Sequence, residues 1–353
     1  VNLILGQGIA GTVLALTLLR RGKPVVVIDD GHRSASSTVA AGLWNPIVFR
    51  RINKSWMADE LILSLDEFYR SAEELLQVKF YHPIPLWRIH SSDLENVLWT
   101  EKMDDPEFAS YLDRSVHNSA YRFPTFEFET GIVNHAGYLD VDSFLTHSRK
   151  YFDSLGIMRI EHFSLPENVS EFQFLEIEGQ RPERVIDCTG HLAAAGHLFG
   201  YLPFALAKGE LLTIKCPGLE LRKIFNAGFF LLPLGNDEYR VGATFEWDEL
   251  DNFPTEKAKS ELLVKFQKWI NLPFDIVDHK AGVRPAVQDR RPLIGRHPEV
   301  ENLYLFNGMG TKGVMLAPLM AHQLAAYIFE GEPLLEEADI VRFSKYFKPE
   351  KSV

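Results

Sequence analysis

The chain has 353 residues, 46% of them hydrophobic, with 37 Lys+Arg against 48 Asp+Glu and a formal net charge of −11. That length suggests about two domains with sizeable cores and excludes a disordered tail protein, while the acidity disfavours a nucleic-acid binder, which needs clustered Lys and Arg to displace phosphate counterions. Cys188 and Cys216 are too few for a disulfide scaffold, the 12 histidines form no H-x-x-x-H group that would imply a metal, and no apolar run reaches the roughly 20 residues of a membrane span.

A reducing, cytoplasmic compartment is therefore expected. The apolar run 1–5 reads as a buried strand, too short and too poor in basic flanks for a signal peptide. Gly6-Gln7-Gly8-Ile9-Ala10-Gly11 follows, then residues 12–21 with Val13, Leu14, Ala15, Leu18 and Leu19 at helical spacing, then Val25-Val26-Val27-Ile28 as a second strand. Such a unit is a dinucleotide site. Gly6 makes the turn, Gly8 lets the backbone approach a pyrophosphate, Gly11 lets helix and strand pack closely, and the helix N-terminus at Ile9 and Ala10 holds the anion. Asp29, twenty-three residues on from Gly6, stands where an acid bonds a ribose 2′-OH, and Asp30 reads as the next loop residue. This unit alone does not separate NAD from FAD.

An NAD dehydrogenase usually continues with further βαβ units. Here Ala35-Ser36-Ser37-Thr38-Val39-Ala40-Ala41-Gly42-Leu43-Trp44-Asn45-Pro46 intervenes, small and turn-forming: either an ordinary loop or a path for a long extended ligand such as FAD, touched by Thr38, Ala41, Gly42 and Leu43. Further on, 229–234 and 239–244 read as a hairpin about the Gly235-Asn236-Asp237 turn, and 256–270 as an amphipathic helix. Residues 302–306 read as a strand that leads into Gly308-Met309-Gly310-Thr311-Lys312-Gly313 and a helix from 314 to about 329. That second glycine motif lacks a following strand and acid, so its helix N-terminus is better suited to an anionic group of the cofactor, such as the pyrimidine edge of a reduced flavin, with Lys312 adding positive charge.

The opening motif, the 40–46 stretch, Gly137-Tyr138-Leu139-Asp140-Val141-Asp142, Val185-Ile186-Asp187-Cys188-Thr189-Gly190, Gly282-Val283-Arg284-Pro285 with Asp289-Arg290-Arg291-Pro292-Leu293-Ile294-Gly295, and the 308–318 stretch together resemble, in order, the D-amino acid oxidase and glycine oxidase family of flavoproteins. The resemblance covers essentially the whole chain. It implies a mixed α/β fold: a Rossmann-like FAD-binding domain made of 1–78, 138–203 and 283–353, interleaved with an antiparallel-sheet substrate domain made of 79–137 and 204–282. Thr189 and Gly190 join the expected cofactor contacts. FAD is expected to be noncovalent, since neither cysteine sits where related sarcosine oxidases attach it. In the substrate segments His82, His90, His117 and His135 have no partner motif and read as surface or core residues.

In that family the substrate amine loses a hydride from its α-carbon to flavin N5, and water hydrolyses the resulting imine. Oxygen or another acceptor then takes the electrons. No catalytic side-chain base is demanded, since the cofactor carries the chemistry. Arg284 matches the arginine that binds the substrate carboxylate, a planar anion suited to a guanidinium fork; otherwise it is a structural arginine in a Gly-x-Arg-Pro turn. Lys312 is either the cation near flavin N1 or a solvated loop lysine. Three residues before Pro233, where relatives place a tyrosine that helps grip the carboxylate, stands Phe230, so the hydroxyl is missing; Tyr239 and Lys208 are the candidate replacements. Gly242-Ala243-Thr244-Phe245-Glu246 and Gly310-Thr311-Lys312-Gly313 also look like the flavin domain of the bacterial wobble-uridine tRNA-modifying enzyme, which removes a carboxymethyl group from a secondary amine. A third reading is a flavoprotein fold kept only for binding.

Overall fold

A computed structural model of the chain describes residues 1–31, 35–114, 129–163, 165–172, 176, 179 and 181–349. His117 lies outside the described residues, with the rest of 115–128.

The first strand, Asn2–Leu5, buries all four of its side chains at the centre of a six-stranded sheet. It pairs in parallel with Val25–Asp29 on one side and Arg184–Asp187 on the other. Met158–Ile160 and Leu303–Asn307 extend the sheet in parallel, and Leu293–Arg296 closes one edge antiparallel. Strands covered on both faces carry continuous apolar runs, which is how residues 1–5 and 25–28 announce themselves. Helix Ile9–Arg20 is apolar nearly all round, because the sheet covers one side of it and helix Gly313–Glu330 another. Helix Ala58–Leu76 packs on Gly313–Glu330 in turn, burying Leu61, Leu65, Phe68, Tyr69 and Ala72 at helical spacing. Asp140 caps helix Val141–Ser154 by accepting from Ser143 N at 3.1 Å.

The second sheet has eight strands in the order Asp275–Arg284, Ala207–Lys215, Glu238–Gly242, Phe230–Gly235, Ile224–Asn226, Leu86–Ile89, Thr130–Val133 and Leu112–Arg114. Its neighbours run antiparallel, as expected, with one exception: Ile224–Asn226 lies parallel to Leu86–Ile89. Such a pair needs a long crossover, here everything between residues 89 and 224. The expected hairpin is present, Asn236 (φ 51°) and Asp237 (φ 60°) turning the chain between Gly235 and Glu238. Side chains alternate across this sheet. Leu212 and Ile214 pack on Leu262 and Phe266 of helix Glu256–Trp269, while Gly209 and Leu211 face a cavity.

Phe80 and Tyr81, in a segment expected to belong to the substrate half, pack instead with Tyr69 and Phe144 in the core of the first sheet. The buried carboxylate of Glu73 fixes them there by accepting from both backbone amides, at 2.8 and 2.9 Å. Tyr81–Pro83 then pairs with Gly137–Leu139, which also pairs with Leu43–Trp44. Among the described residues no helix is long and apolar enough to cross a membrane.

Candidate active site

Side chains from both sheets line a cavity of about 580 Å³, within the usual range for a small-molecule site. At one end is the first glycine turn. Gly6 adopts φ +94°, and a Cβ on Gly11 would stand 1.8 Å from the Gly6 carbonyl oxygen, so strand and helix approach this closely only because both are glycine. Gly8, Ile9 and Ala10 present the helix N-terminus to the cavity, with no acidic residue in the first turn to neutralise it. Ile9 N donates to Ser37 Oγ at 3.0 Å.

Asp29 is buried, lines the cavity and clamps the turn: it accepts from Gln7 N at 2.8 Å, Gly31 N at 2.9 Å and the Arg149 guanidinium at 2.8 Å. Asp30, Glu161 and Phe163 line the same end. An acidic surface of this kind favours ribose hydroxyls and repels a 2′-phosphate. In the 35–46 stretch Ala41, Gly42 and Leu43 reach the cavity, and Gly42 (φ +72°) passes so near Leu139 O that a Cβ would stand 2.0 Å from it. Thr38 turns its hydroxyl onto Ala35 O at 2.9 Å, and Ser36 and Ser37 form the lining beside it.

Thr189 and Gly190 line the cavity directly beside the turn, where a Cβ on Gly6 would stand 3.3 Å from Thr189 Cα. The buried Asp187 carboxylate, pushed above the usual range by desolvation, accepts from Thr189 N and Oγ1 at 2.8 and 2.7 Å. Asn307 ties this loop to the second glycine motif by donating to Gly190 O at 2.8 Å. Met309, Gly310, Thr311 and Gly313 reach the cavity; Gly308 is tucked beneath, against Leu293 N. Lys312 is outside the lining. Its ammonium donates to Ser55, and burial, with Arg291 and Arg290 nearby, pulls its pKa down to about 8.

Arg284 closes the other end. Its guanidinium lies over Gly209, where any Cβ would collide with it, and against the Phe245 ring, 4.5 Å from the centroid. Nη1 donates to Thr244 O at 3.2 Å and Lys208 O at 3.4 Å, and no carboxylate pairs with Arg284 among the described residues. Burial alone lowers its pKa, to about 10, so it stays charged at neutral pH. An unneutralised cation facing a cavity is a receptor for an anion. Phe230 lines the wall nearby, whereas Tyr239 is buried in the core on the far face of the sheet and Lys208 is buried on Asp251; neither reaches the cavity.

Phe245, from the 242–246 motif, lines the cavity too, and so do Arg88, Asn226 and Phe49, without any motif in the sequence to mark them. The alternation of the second sheet is the one signal that could have placed Arg88 and Asn226 on its inner face, and only once their strands were paired.

A family model described as FAD dependent oxidoreductase matches residues 3–327. Glycine oxidase from Pseudomonas putida is 24% identical over 95% of this chain and 96% of its own length. The tRNA 5-methylaminomethyl-2-thiouridine biosynthesis bifunctional protein MnmC from Leptospira borgpetersenii is 25% identical over 96% of this chain. The match takes in 60% of that protein, and 38% of another relative, glycine oxidase from Pseudomonas aeruginosa, so the chain spans less than two thirds of both. Among solved structures, iminodiacetate oxidase from Chelativorans sp. BNC1 has a TM-score of 0.78 at 22% identity, covering 97% of this chain and 98% of that one, a likeness of fold.

Proposed function

The chain belongs to the family of FAD-dependent oxidoreductases, and on that premise we propose that it binds FAD noncovalently and oxidises an amine bearing a carboxylate, of the D-amino acid, glycine or N-alkyl glycine type. When bound, FAD supplies a two-electron acceptor at N5 for the hydride of the α-carbon, leaving an imine that water hydrolyses. The cavity suits that group: glycines where a pyrophosphate must approach, an uncompensated helix N-terminus, and an acid at the ribose end. Cys188 touches the cavity, but burial pushes its thiol well above the usual range, which supports noncovalent binding. Acid precipitation then leaves a yellow supernatant; a yellow pellet contradicts it. The division into 1–78, 138–203 and 283–353 for FAD and 79–137 and 204–282 for substrate stands with it, supported by the origins of the two sheets, with the first crossing moved past Pro83.

The observation that carries the substrate class is Arg284, a charged fork without a carboxylate partner among the described residues. Its role is to grip the substrate carboxylate, while Phe230 and Phe245 keep water from the bond. Arg284→Ala is expected to leave FAD bound and raise KM for the carboxylate substrate at least about tenfold, since a bidentate charged bond is worth roughly 1.5–3 kcal/mol. Unchanged kinetics would remove Arg284 from the site.

The likeness to the bifunctional tRNA protein along 96% of the chain supports a second reading, demodification of a wobble-uridine side chain. Phe245, Trp247 and Phe253 stand exposed by the Arg284 end, but Glu246, Asp248, Glu249 and Asp251 lie among them, and that charge repels phosphates. Salt-sensitive tRNA binding would favour this reading. A protein that takes up no FAD, and shows no flavin absorbance, would favour a binding module instead.

A further inference from the structure

Asn226 sits in a row that runs straight across the second sheet. Its cross-strand partners are Arg88 on one side and Phe230 on the other, and Phe230 in turn faces Gly242, which faces Leu211. Residues directly opposite one another point to the same face, and all five line the cavity.

The polar end of the row is built to fix one orientation of the Asn226 amide. Glu95 holds Arg88 through Nε and Nη2, at 2.7 and 3.1 Å, and this buried fork-on-fork pair leaves Nη1 to donate to Asn226 Oδ1 at 2.6 Å. Phe49 lies over the Arg88 guanidinium, 4.7 Å from ring centroid to Cζ. Arginine has no acceptor, so the Asn226 oxygen must face it and the amide nitrogen must face away. No described residue accepts from that nitrogen, and Asn226 lines the cavity.

The row changes character beyond Asn226. Phe230 carries no hydroxyl, Gly242 no side chain, and Leu211 is aliphatic; then, two residues along the same strand, the Arg284 guanidinium lies over Gly209. Gly209 and Asn226 are three strand spacings and two residues apart, on the order of 16 Å between backbones. Asn226 is therefore too far away to share the carboxylate held by Arg284. It forms a second pole.

We infer that the substrate is a long N-substituted amino acid: its carboxylate is held by Arg284, an apolar stretch crosses Phe230 and Gly242, and an acceptor oxygen at the far end, carbonyl or carboxylate, takes the Asn226 amide hydrogens. The inference rests on the amine-oxidation reading above and supplies its missing substrate class. Arg88 and Glu95 are positioning residues that act through Asn226.

A homologous series tests it on the FAD-loaded protein: sarcosine, N-hexylglycine, and the N-carboxymethyl derivatives of β-alanine, 4-aminobutyrate and 6-aminohexanoate. KM is expected to fall as the chain lengthens, and the 6-aminohexanoate derivative to have a KM at least about tenfold below that of N-hexylglycine, which lacks only the distal carboxylate. Asn226→Ala is expected to narrow that ratio to below about threefold, and Asn226→Asp to invert it by setting charge against charge. Arg88→Met narrows the same ratio, and Arg88→Lys, still a donor without an acceptor, restores most of it. As a readout independent of turnover, nonanedioate is expected to bind at least about fivefold more tightly than nonanoate. A ratio indifferent to the distal group, or one unmoved by Asn226→Ala, overturns the inference while sarcosine turnover keeps the amine-oxidation reading intact. Failure of every member to reduce the flavin overturns both.

Discussion

Two cations were singled out by the sequence, and the structure gives them different surroundings. Arg284 opens onto the cavity without a carboxylate partner among the described residues, while Lys312 turns to Ser55 outside the lining. The burial that pulls Lys312 down to about 8 has a measurable consequence. Between that value and the ordinary 10.5 the unfolded chain binds more protons than the folded one, so folding stability rises with pH across this window and is lowest below it. Chemical denaturation of the flavin-free protein should show that rise, and Lys312→Met should abolish it; an unchanged slope would mean that Lys312 is solvated. His297 works at the acid end. Burial lowers its pKa to about 4, and its Nδ1 faces the Glu299 and Val300 amides at 3.2 Å, both donors that demand an unprotonated nitrogen. Its contribution is present above pH 6.5 and lost as pH falls through about 4, so His297→Gln should flatten the acid limb of the stability profile between those values. Arg284 and Lys312 could be singled out because each sits in a motif of short spacing, though that spacing says nothing of which way the side chain turns. Arg88 and Asn226 were not, since what brings them together is a parallel pairing of strands 138 residues apart in the chain.

The βαβ unit and the 230–242 hairpin were readable as elements, because apolar runs, glycine spacing and an Asn-Asp turn act locally. Tyr81–Pro83 was not readable for the opposite reason: a three-residue strand has no periodicity, and its place is set by the Glu73 carboxylate and by pairing with Gly137–Leu139. Where strand and helix meet, a direct test exists. Gly11→Ala puts a Cβ 1.8 Å from Gly6 O, a backbone atom that cannot move aside. The helix must shift, and the expected result is a loss of about 2–4 kcal/mol in unfolding free energy together with loss of FAD binding. A Gly11→Ala protein that binds FAD with unchanged affinity would contradict the close approach assigned to this turn.

At the scale of the whole molecule, length alone offers no usable boundary, because the strands of the first sheet come from residues 2 to 307 with the second sheet inserted between them. The net charge of −11 predicts that tRNA binding, measured at low salt, is weak and non-saturating. The central claim is that the uncompensated cation at one end of a flavin cavity selects for a carboxylate. The most direct measurement is anaerobic reduction of the FAD-loaded protein by sarcosine and by dimethylamine, two secondary amines that differ only in that group. Sarcosine is expected to bleach the flavin at concentrations at least about tenfold lower, and Arg284→Ala to remove the difference. Equal bleaching by both amines would contradict it.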